Sequence, residues 1–317
     1  MSLIAKIKKG IENPYVIVNA LLDKYASSIK NDEFFIKWRF YANQHRFPNL
    51  KNPVTYNEKC NWLKLNYRNP LFTTLADKIE VKKYVEEKLG PGHTFPLIKV
   101  YDSPEEIDFD ELPNQFVLKC NHNSGGGMII CRDKSKGILR HGKSTDKTNL
   151  SYDEVRRGLK DALRQDYFAT QREWPYKNIK RRILAEKFMT MDDGSTLQDY
   201  KFFCFNGEPK YIWVGSNYDP MWFNVFSTDW KNQHVKWGYE AGPDELPRPK
   251  QLEEMLDVAR KLSKGIPHVR VDLYSIRGTI YLGEFTFFTW AGFGSFEPKE
   301  WDKIFGDLLK LPNETIK

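Results

Sequence analysis

The chain has 317 residues, 40% hydrophobic, 15% aromatic and 29% charged, with a formal net charge of +7. That composition suits one large globular domain or two ordinary ones, and excludes collagen, coiled coil and wholesale disorder. No apolar run reaches the roughly 18 residues of a membrane-spanning helix. The start, MSLIAKIKKGIENPYVIV, sets lysines inside its apolar stretch, so no secretory leader is expected. The basic excess is local: residues 132–182 hold fifteen Lys/Arg against seven Asp/Glu, and residues 1–50 hold eight against four. Such fields attract nucleotide phosphates, anionic lipid or acidic glycans. Four scattered cysteines (Cys60, Cys120, Cys131, Cys204) form no CxxC pair and read as buried, reduced thiols.

Residues 1–50 read as amphipathic helix, followed by helices over 56–68 and 75–89, the latter ended by Gly90-Pro-Gly92. Ile98–Tyr101 predicts a short strand, and QFVLKC (115–120) and MIIC (128–131) a hairpin with HNSGGG (122–127) at its tip. Ser151-Tyr-Asp-Glu154 is a capping box, opening a helix with Val155, Leu159 and Leu163 on one face. Residues 182–189 read as a strand, and 200–206 with 210–215 as a hairpin about Asn206-Gly207. A helix over 249–263 buries Leu252, Met255, Leu256, Ala259 and Leu262 and stops at Gly265. Strands over 268–274 and 279–285 follow, then a helix over 298–309 with Trp301, Ile304, Phe305 and Leu308 inward. The class is α+β, with a helical lead-in to about residue 100.

Three constellations could carry chemistry. Lys119 precedes the glycine run Ser124-Gly125-Gly126-Gly127, whose backbone N–H groups could approach phosphate; neither GxxxxGK[ST] nor a helix-opening GxGxxG is present. Period-2 alternation puts Arg270 with Asp272 on one face of a strand, and Glu284 with Thr286 on one face of the next. Two carboxylates and a hydroxyl on adjacent strands suit Mg²⁺, with Arg270 facing the same phosphates. Glu186-Lys187-Phe188 ends a strand, where free backbone groups could read an adenine edge, and Lys201 on a central strand could point into the same cleft.

Together these pieces resemble the ATP-grasp superfamily. VRVDLYSIRGTIYLGEFTFFTWAGF resembles its metal-binding strand pair, FVLKCNHNSGGGMII its lysine strand and glycine loop, ILAEKF its adenine hinge, and DYKFFCFNGEPKYI the strand pair carrying a basic residue over the nucleotide. YNEKCNWLKL and ADKIEVKKYV, with those motifs in the same order, are similar to the TupA-like ATP-grasp branch of bacterial surface-polysaccharide clusters, over about residues 56–312. The superfamily's ExN ends in Asn where Thr286 stands, and a hydroxyl is the weaker oxygen donor for a second metal.

The resemblance implies two α+β lobes clasping ATP: residues 1–100 as lead-in, 101–185 as the lobe with the glycine loop and 186–317 as the lobe with the metal site. It implies ATP and Mg²⁺ as cofactors. Asp272, Glu284 and Thr286 would hold metal, Arg270 the transferring phosphoryl group, and Lys119 and Lys201 the other phosphates. Lys78 would reach the nucleotide from the lead-in. The implied reaction is a carboxylate–amine ligation through an acyl phosphate, on a uronic acid of a surface glycan with an amino acid or amine as partner. That reaction would lie in the cytoplasm or at the inner membrane face, with peripheral membrane contact through residues 1–50 as an alternative to their packing on the body. Rival readings are a glycosyltransferase, a kinase, and a nucleic-acid-binding module. The only paired aspartates, Asp192-Asp193, sit in a turn, and no nucleic-acid-binding signature is present, so no nucleic-acid partner is expected.

Overall fold

The computed structural model describes residues 13–123, 128–141, 147–191, 194–216 and 221–316. Ser124, Gly125, Gly126 and Gly127 and the Asp192-Asp193 pair lie outside the described residues. The lead-in is helical: α1 (Pro14–Lys24), α2 (Asp32–Gln44), α3 (Tyr56–Asn66), α4 (Leu71–Ala76) and α5 (Val81–Leu89). Asn13 and Asn31 cap the first two, accepting from Tyr15 N at 3.2 Å and Phe34 N at 2.9 Å. The single helix expected over 75–89 is in fact broken at 77–80. Asp77 Oδ1 accepts from Ile79 N (2.8 Å), Glu80 N (3.4 Å) and Asn121 Nδ2 (2.9 Å). An aspartate that offers its oxygen to the next backbone N–H groups competes with the helix, and Lys78 is left in the resulting turn.

Two antiparallel sheets form the body. Strands β1 (Leu97–Tyr101), β2 (Phe116–Cys120), β3 (Met128–Cys131), β4 (Ile138–His141), β5 (Lys147–Leu150) and β6 (Ile183–Lys187) pair in the order β1-β6-β2-β3-β4-β5. Helix α6 (Tyr152–Arg164) buries Val155, Leu159 and Ala162 in that sheet's core, with Leu163 partly buried. Its capping box is present: Ser151 N donates to Glu154 Oε2 at 2.9 Å and Glu154 N to Ser151 Oγ at 3.3 Å. The short α7 (Tyr167–Gln171) follows.

The second sheet contains β7 (Asp199–Phe205), β8 (Glu208–Ser216), β9 (Trp222–Ser227), β11 (His268–Ile276) and β12 (Thr279–Thr286), in the order β12-β11-β7-β8-β9. A two-residue pair, β10 (Lys236–Trp237) with β13 (Phe296–Glu297), lies beside it. Helix α8 (Leu252–Ser263) buries all five residues of its expected apolar face. Gly265, at φ +80°, follows its end. The last helix, α9 (Glu300–Leu308), departs from expectation at Ile304, which is 37% exposed. Gly306 approaches the backbone of Val54 and Tyr56 so closely that a Cβ there would lie 2.3 Å from Val54 O. The contact face therefore runs through Phe305, Gly306 and Leu309, and Ile304 turns outward. All four cysteines are buried and free, and burial pushes the Cys60, Cys120 and Cys204 thiols up to about 12.

Arg172 fastens the first two helices to the body. It is 3% exposed, donates to Ala26 O (2.9 Å) and Ile29 O (2.7 Å), pairs with Asp32 at 3.0 Å and lies 4.0 Å from the Phe35 ring centre. Replacing Arg172 with Ala strands three carbonyls, those of Ala26, Ile29 and Ala169, and leaves Asp32 with Arg68 alone, at a cost of about 1–3 kcal/mol for each buried acceptor left unpaired. We expect protease to clip residues 13–50 of the Arg172→Ala variant before the body unfolds; unaltered cleavage kinetics would contradict this anchor.

Candidate active site

The register of the second sheet builds the site. Glu284 stands opposite Asp272, Asp272 opposite Lys201, and Lys201 opposite Trp213. Residues directly opposite in antiparallel strands share a face, so these four form one row across β12, β11, β7 and β8. Arg270 stands opposite Thr286, two residues along. Gly283 is required beside Glu284, because a Cβ there would come within 2.6 Å of the Tyr274 ring.

Arg270 binds Asp272 through both oxygens, Nε to Oδ1 and Nη2 to Oδ2, each at 2.7 Å. The same Nη2 lies 3.6 Å from Glu284 Oε1. Lys201 Nζ reaches Asp272 Oδ2 at 3.3 Å and also pairs with Asp199. Asp272 is 2% exposed and Arg270 and Lys201 are each 8% exposed. Burial would raise the Asp272 carboxyl, but Arg270 and then Lys201 outweigh it and hold the group below the usual carboxylate range. Burial disfavours the cationic forms of Arg270 and Lys201, yet the Asp272 charge raises both.

A second cluster faces this row. Glu186, 4% exposed, is held between Lys82 Nζ at 2.6 Å and Lys119 Nζ at 2.5 Å, and Lys82 also donates to Phe95 O at 2.6 Å. Burial would raise the Glu186 carboxyl, but Lys119 and Lys82 bring it below its ordinary value. Lys78, Lys82, Thr94, Phe95, Lys119 and Glu186 line one cavity. Lys78 joins the clusters: its Nζ donates to Asn123 O at 2.7 Å and lies 3.9 Å from Glu284 Oε2. Buried Asn121 clamps that junction, donating from Nδ2 to Asp77 Oδ1 and Lys180 O, both at 2.9 Å, and accepting from Arg182 N at 2.8 Å.

The structure thus brings together Lys78, Lys119, Glu186, Lys201, Arg270, Asp272 and Glu284. Thr286 lies at the same strand pair, half-buried. Lys187 is exposed, on the opposite side of its strand from Glu186, and its N–H already donates to Pro96 O at 3.0 Å. Phe188 is half-buried, with the Arg132 guanidinium 5.5 Å from its ring centre.

Asp272 Oδ2 and Glu284 Oε1 share one Arg270 nitrogen, so they are no farther apart than those two distances combined. No group of three His, Cys, Asp or Glu suited to a metal occurs among the described residues. Two carboxylates and a hydroxyl, all oxygen and few in number, fit an ion that keeps water and phosphate as its remaining ligands, which is the habit of Mg²⁺. Oδ2 of Asp272 accepts from both Arg270 and Lys201, whereas Oδ1 accepts from Arg270 alone and keeps a lone pair for an ion.

Sequence reasoning missed Lys82 and Glu173. Lys82 lies four residues beyond Lys78, the spacing that sets two side chains on one side of a helix, so a signal for it was present in the sequence. Glu173 carried no local signal. It is 5% exposed, and burial raises its carboxyl to about 7 against the pull of Lys64 and Arg270, with Glu284 adding to the rise. A raised carboxyl binds a proton in the folded chain that the unfolded chain has released, so stability falls as pH rises from about 4.3 to about 7. Glu173→Gln should therefore unfold later than the parent at pH 8, by about 1–3 kcal/mol, with the gain gone at pH 4. Equal denaturation midpoints at both pH values would contradict a buried, strained charge there.

The family model described as TupA-like ATPgrasp matches residues 58–310. Among solved structures, a D-alanine–D-alanine ligase from Bacillus anthracis complexed with ATP is similar at 16% identity, over 67% of this chain and 53% of its own, with a TM-score of 0.36. One from Helicobacter pylori is similar at 14%, over 81% and 69%, with a TM-score of 0.42. A RimK-domain ATP-grasp protein from Sphaerobacter thermophilus is similar at 11%, over 81% and 71%, with a TM-score of 0.40. The chain spans about half the length of the first of these. No curated protein matches it. With the motifs in order along one sheet pair and the model matched over most of the chain, this chain belongs to the TupA-like ATP-grasp family.

Proposed function

We propose that the chain is an ATP-dependent ligase joining a carboxylate to an amine, with ADP and phosphate as products. The observation that carries this reading is the Glu284–Asp272–Lys201 row with Arg270 between its carboxylates, tied through Lys78 to the cleft of Lys119, Lys82 and Glu186. Lys119 and Lys82 are cations suited to phosphate oxygens, and Glu186, which now holds both, suits ribose or adenine donors. Arg270 offers a fork of N–H donors to a phosphoryl group and then to the oxyanion at the acyl carbon. Asp272 and Glu284, with Thr286, would hold Mg²⁺, which supplies charge neutralisation on the phosphates.

In the first step a carboxylate oxygen attacks the γ-phosphorus and the bond to the β–γ bridging oxygen breaks, releasing ADP. The amine nitrogen then attacks the acyl carbon, the carbon–oxygen bond to phosphate breaks, and the nitrogen loses a proton. Lys78, held to Asn123 O and 3.9 Å from Glu284 Oε2, links the lysine cluster to the carboxylate row. The carboxylate we assign is that of a uronic acid in a bacterial surface polysaccharide or its precursor. The basic 132–182 segment and the aromatic content support an acidic glycan. ATP use puts the reaction on the cytoplasmic side. No helix among the described residues is long and apolar enough to cross a membrane, while α1 leaves Val16, Ile17 and Leu21 exposed for a peripheral contact at that face.

Glu284→Gln should lower turnover at least about 100-fold, consistent with loss of an electrostatic group aimed at the transferring charge, with its melting temperature within a degree or so of the parent. Near-normal ATP consumption would remove Glu284 from the site. Radiolabelled γ-phosphate should appear as inorganic phosphate only when uronate and amine are both present. AMP as product would turn the reading to adenylation, and consumption of a nucleotide sugar without ATP to glycosyl transfer.

A further inference from the structure

The turn after β12 has an unusual backbone. Trp290 (φ 53°), Ala291 (φ 53°) and Gly292 (φ 68°) are three successive residues in the left-handed region, two of them with a Cβ. Such strain persists only where surroundings hold it, and it concentrates at functional sites. Here α3 holds it. Lys64 Nζ donates to Ala291 O at 2.5 Å, Asn61 Nδ2 to Gly292 O at 2.7 Å and Asn57 Nδ2 to Gly294 O at 2.8 Å, and Gln44 of α2 adds a bond to Phe293 O at 2.8 Å. Asn57, Asn61 and Lys64 recur at helical spacing on one face.

The strained turn presents one large side chain. Trp290 is 36% exposed, and its Nε1 donates to Trp237 O at 3.2 Å. One side of the indole rests on glycine backbone: a Cβ at Gly238 would lie 2.3 Å from the ring, and one at Gly294 2.8 Å from Trp290 Cβ. Its ring lies 5.2 Å from Tyr239, Tyr239 5.9 Å from Trp213, and Trp213 5.8 Å from the Arg270 guanidinium. Trp213 belongs to the Glu284–Asp272–Lys201 row, so this aromatic path extends the same face of the sheet. Trp213 Nε1 is buried with no hydrogen-bond partner among the described residues. A sugar ring offers an apolar C–H face to an indole and hydroxyls to the rim.

Resting on the ligase reading above, we propose that Trp290 with Tyr239 is a stacking subsite for a neighbouring sugar of the acceptor, so that the preferred acceptor is an oligosaccharide chain and not a single uronic acid. The path from Trp290 to Arg270 is two aromatic rings long. A sugar stacked on Trp290 therefore lies apart from the reacting carboxylate, within the same chain.

The test is calorimetric titration of the full chain, with Mg²⁺ and a non-hydrolysable ATP analogue present, using galacturonate, mannuronate and hyaluronan fragments of one to six sugars. At least one series should gain tenfold or more in affinity from one sugar to three. Trp290→Ala should abolish that gain, and Trp290→Tyr should keep most of it. Affinity independent of length in every series, a gain that survives in Trp290→Ala, or no binding at all would overturn the subsite. If Trp290→Ala does not fold, trimer but not monomer should shield tryptophan fluorescence from acrylamide in the unaltered protein; equal shielding would overturn it too. The ligase reading fails separately: it falls if no uronate, short or long, elicits ADP in the presence of amines, whatever Trp290 contributes to binding.

Discussion

One buried carboxylate organises this molecule. Asp272 is nearly sealed from water, and a lone carboxylate in that position would be prohibitively costly. It is kept charged by a two-pronged bond from Arg270 and by Lys201, which Asp199 holds in turn. These partners come from β11 and β7, and Glu284 enters from β12. A one-residue slip of any strand would turn its member to the other face. The hydrophobic side of the sheet, packed on α8 through Met255, Leu256, Ala259 and Leu262, therefore sets the geometry of the charged side. Folding and site construction are one act here.

The same cluster explains how two lobes act as one site. Lys78 touches both, but it sits in a turn with no rigidity of its own. Rigidity comes from Asp77 and Asn121, which draw the 77–80 turn, the approach to the glycine run and the chain at 180–182 onto one buried amide. The opposite end of the charged row runs into aromatic rings and then into a turn whose strained backbone is pinned by α2 and α3. Helices that look like a separate lead-in in the sequence thus support both ends of the site, which gives the first hundred residues a role beyond packing.

The strand pair carrying Arg270, Asp272 and Glu284 was legible because alternation is a two-residue rule, and Val269, Val271 and Phe285 filled the apolar positions between. The Asn206-Gly207 hairpin and α8 were legible for the same local reason. Lys82 was not singled out, because its i,i+4 spacing from Lys78 shows two lysines on one side of a helix but not the buried Glu186 they meet. Glu173 was not, because only tertiary burial makes it unusual. Strands β4 and β5 escaped because the charged stretch from 132 to 150 lacks a sustained apolar alternation. Ile304 misled because helical spacing cannot know that Gly306 brings the backbone of α9 against Val54. Glu186, Lys187 and Phe188 read as a strand end with free backbone groups, and only the fold shows that the Lys187 N–H is taken by Pro96 O while its side chain alternates away from Glu186.

The central claim is that phosphoryl transfer to a carboxylate takes place beside Arg270 and Asp272. Isotope transfer tests it most directly. With acceptor carboxylate labelled in both oxygens with ¹⁸O, and with ATP and amine supplied, each phosphate released should carry one ¹⁸O and the amide product should retain the other. Phosphate free of label, with both ¹⁸O atoms still on the acceptor, would mean that water and not the carboxylate receives the phosphoryl group, and would contradict the ligase mechanism.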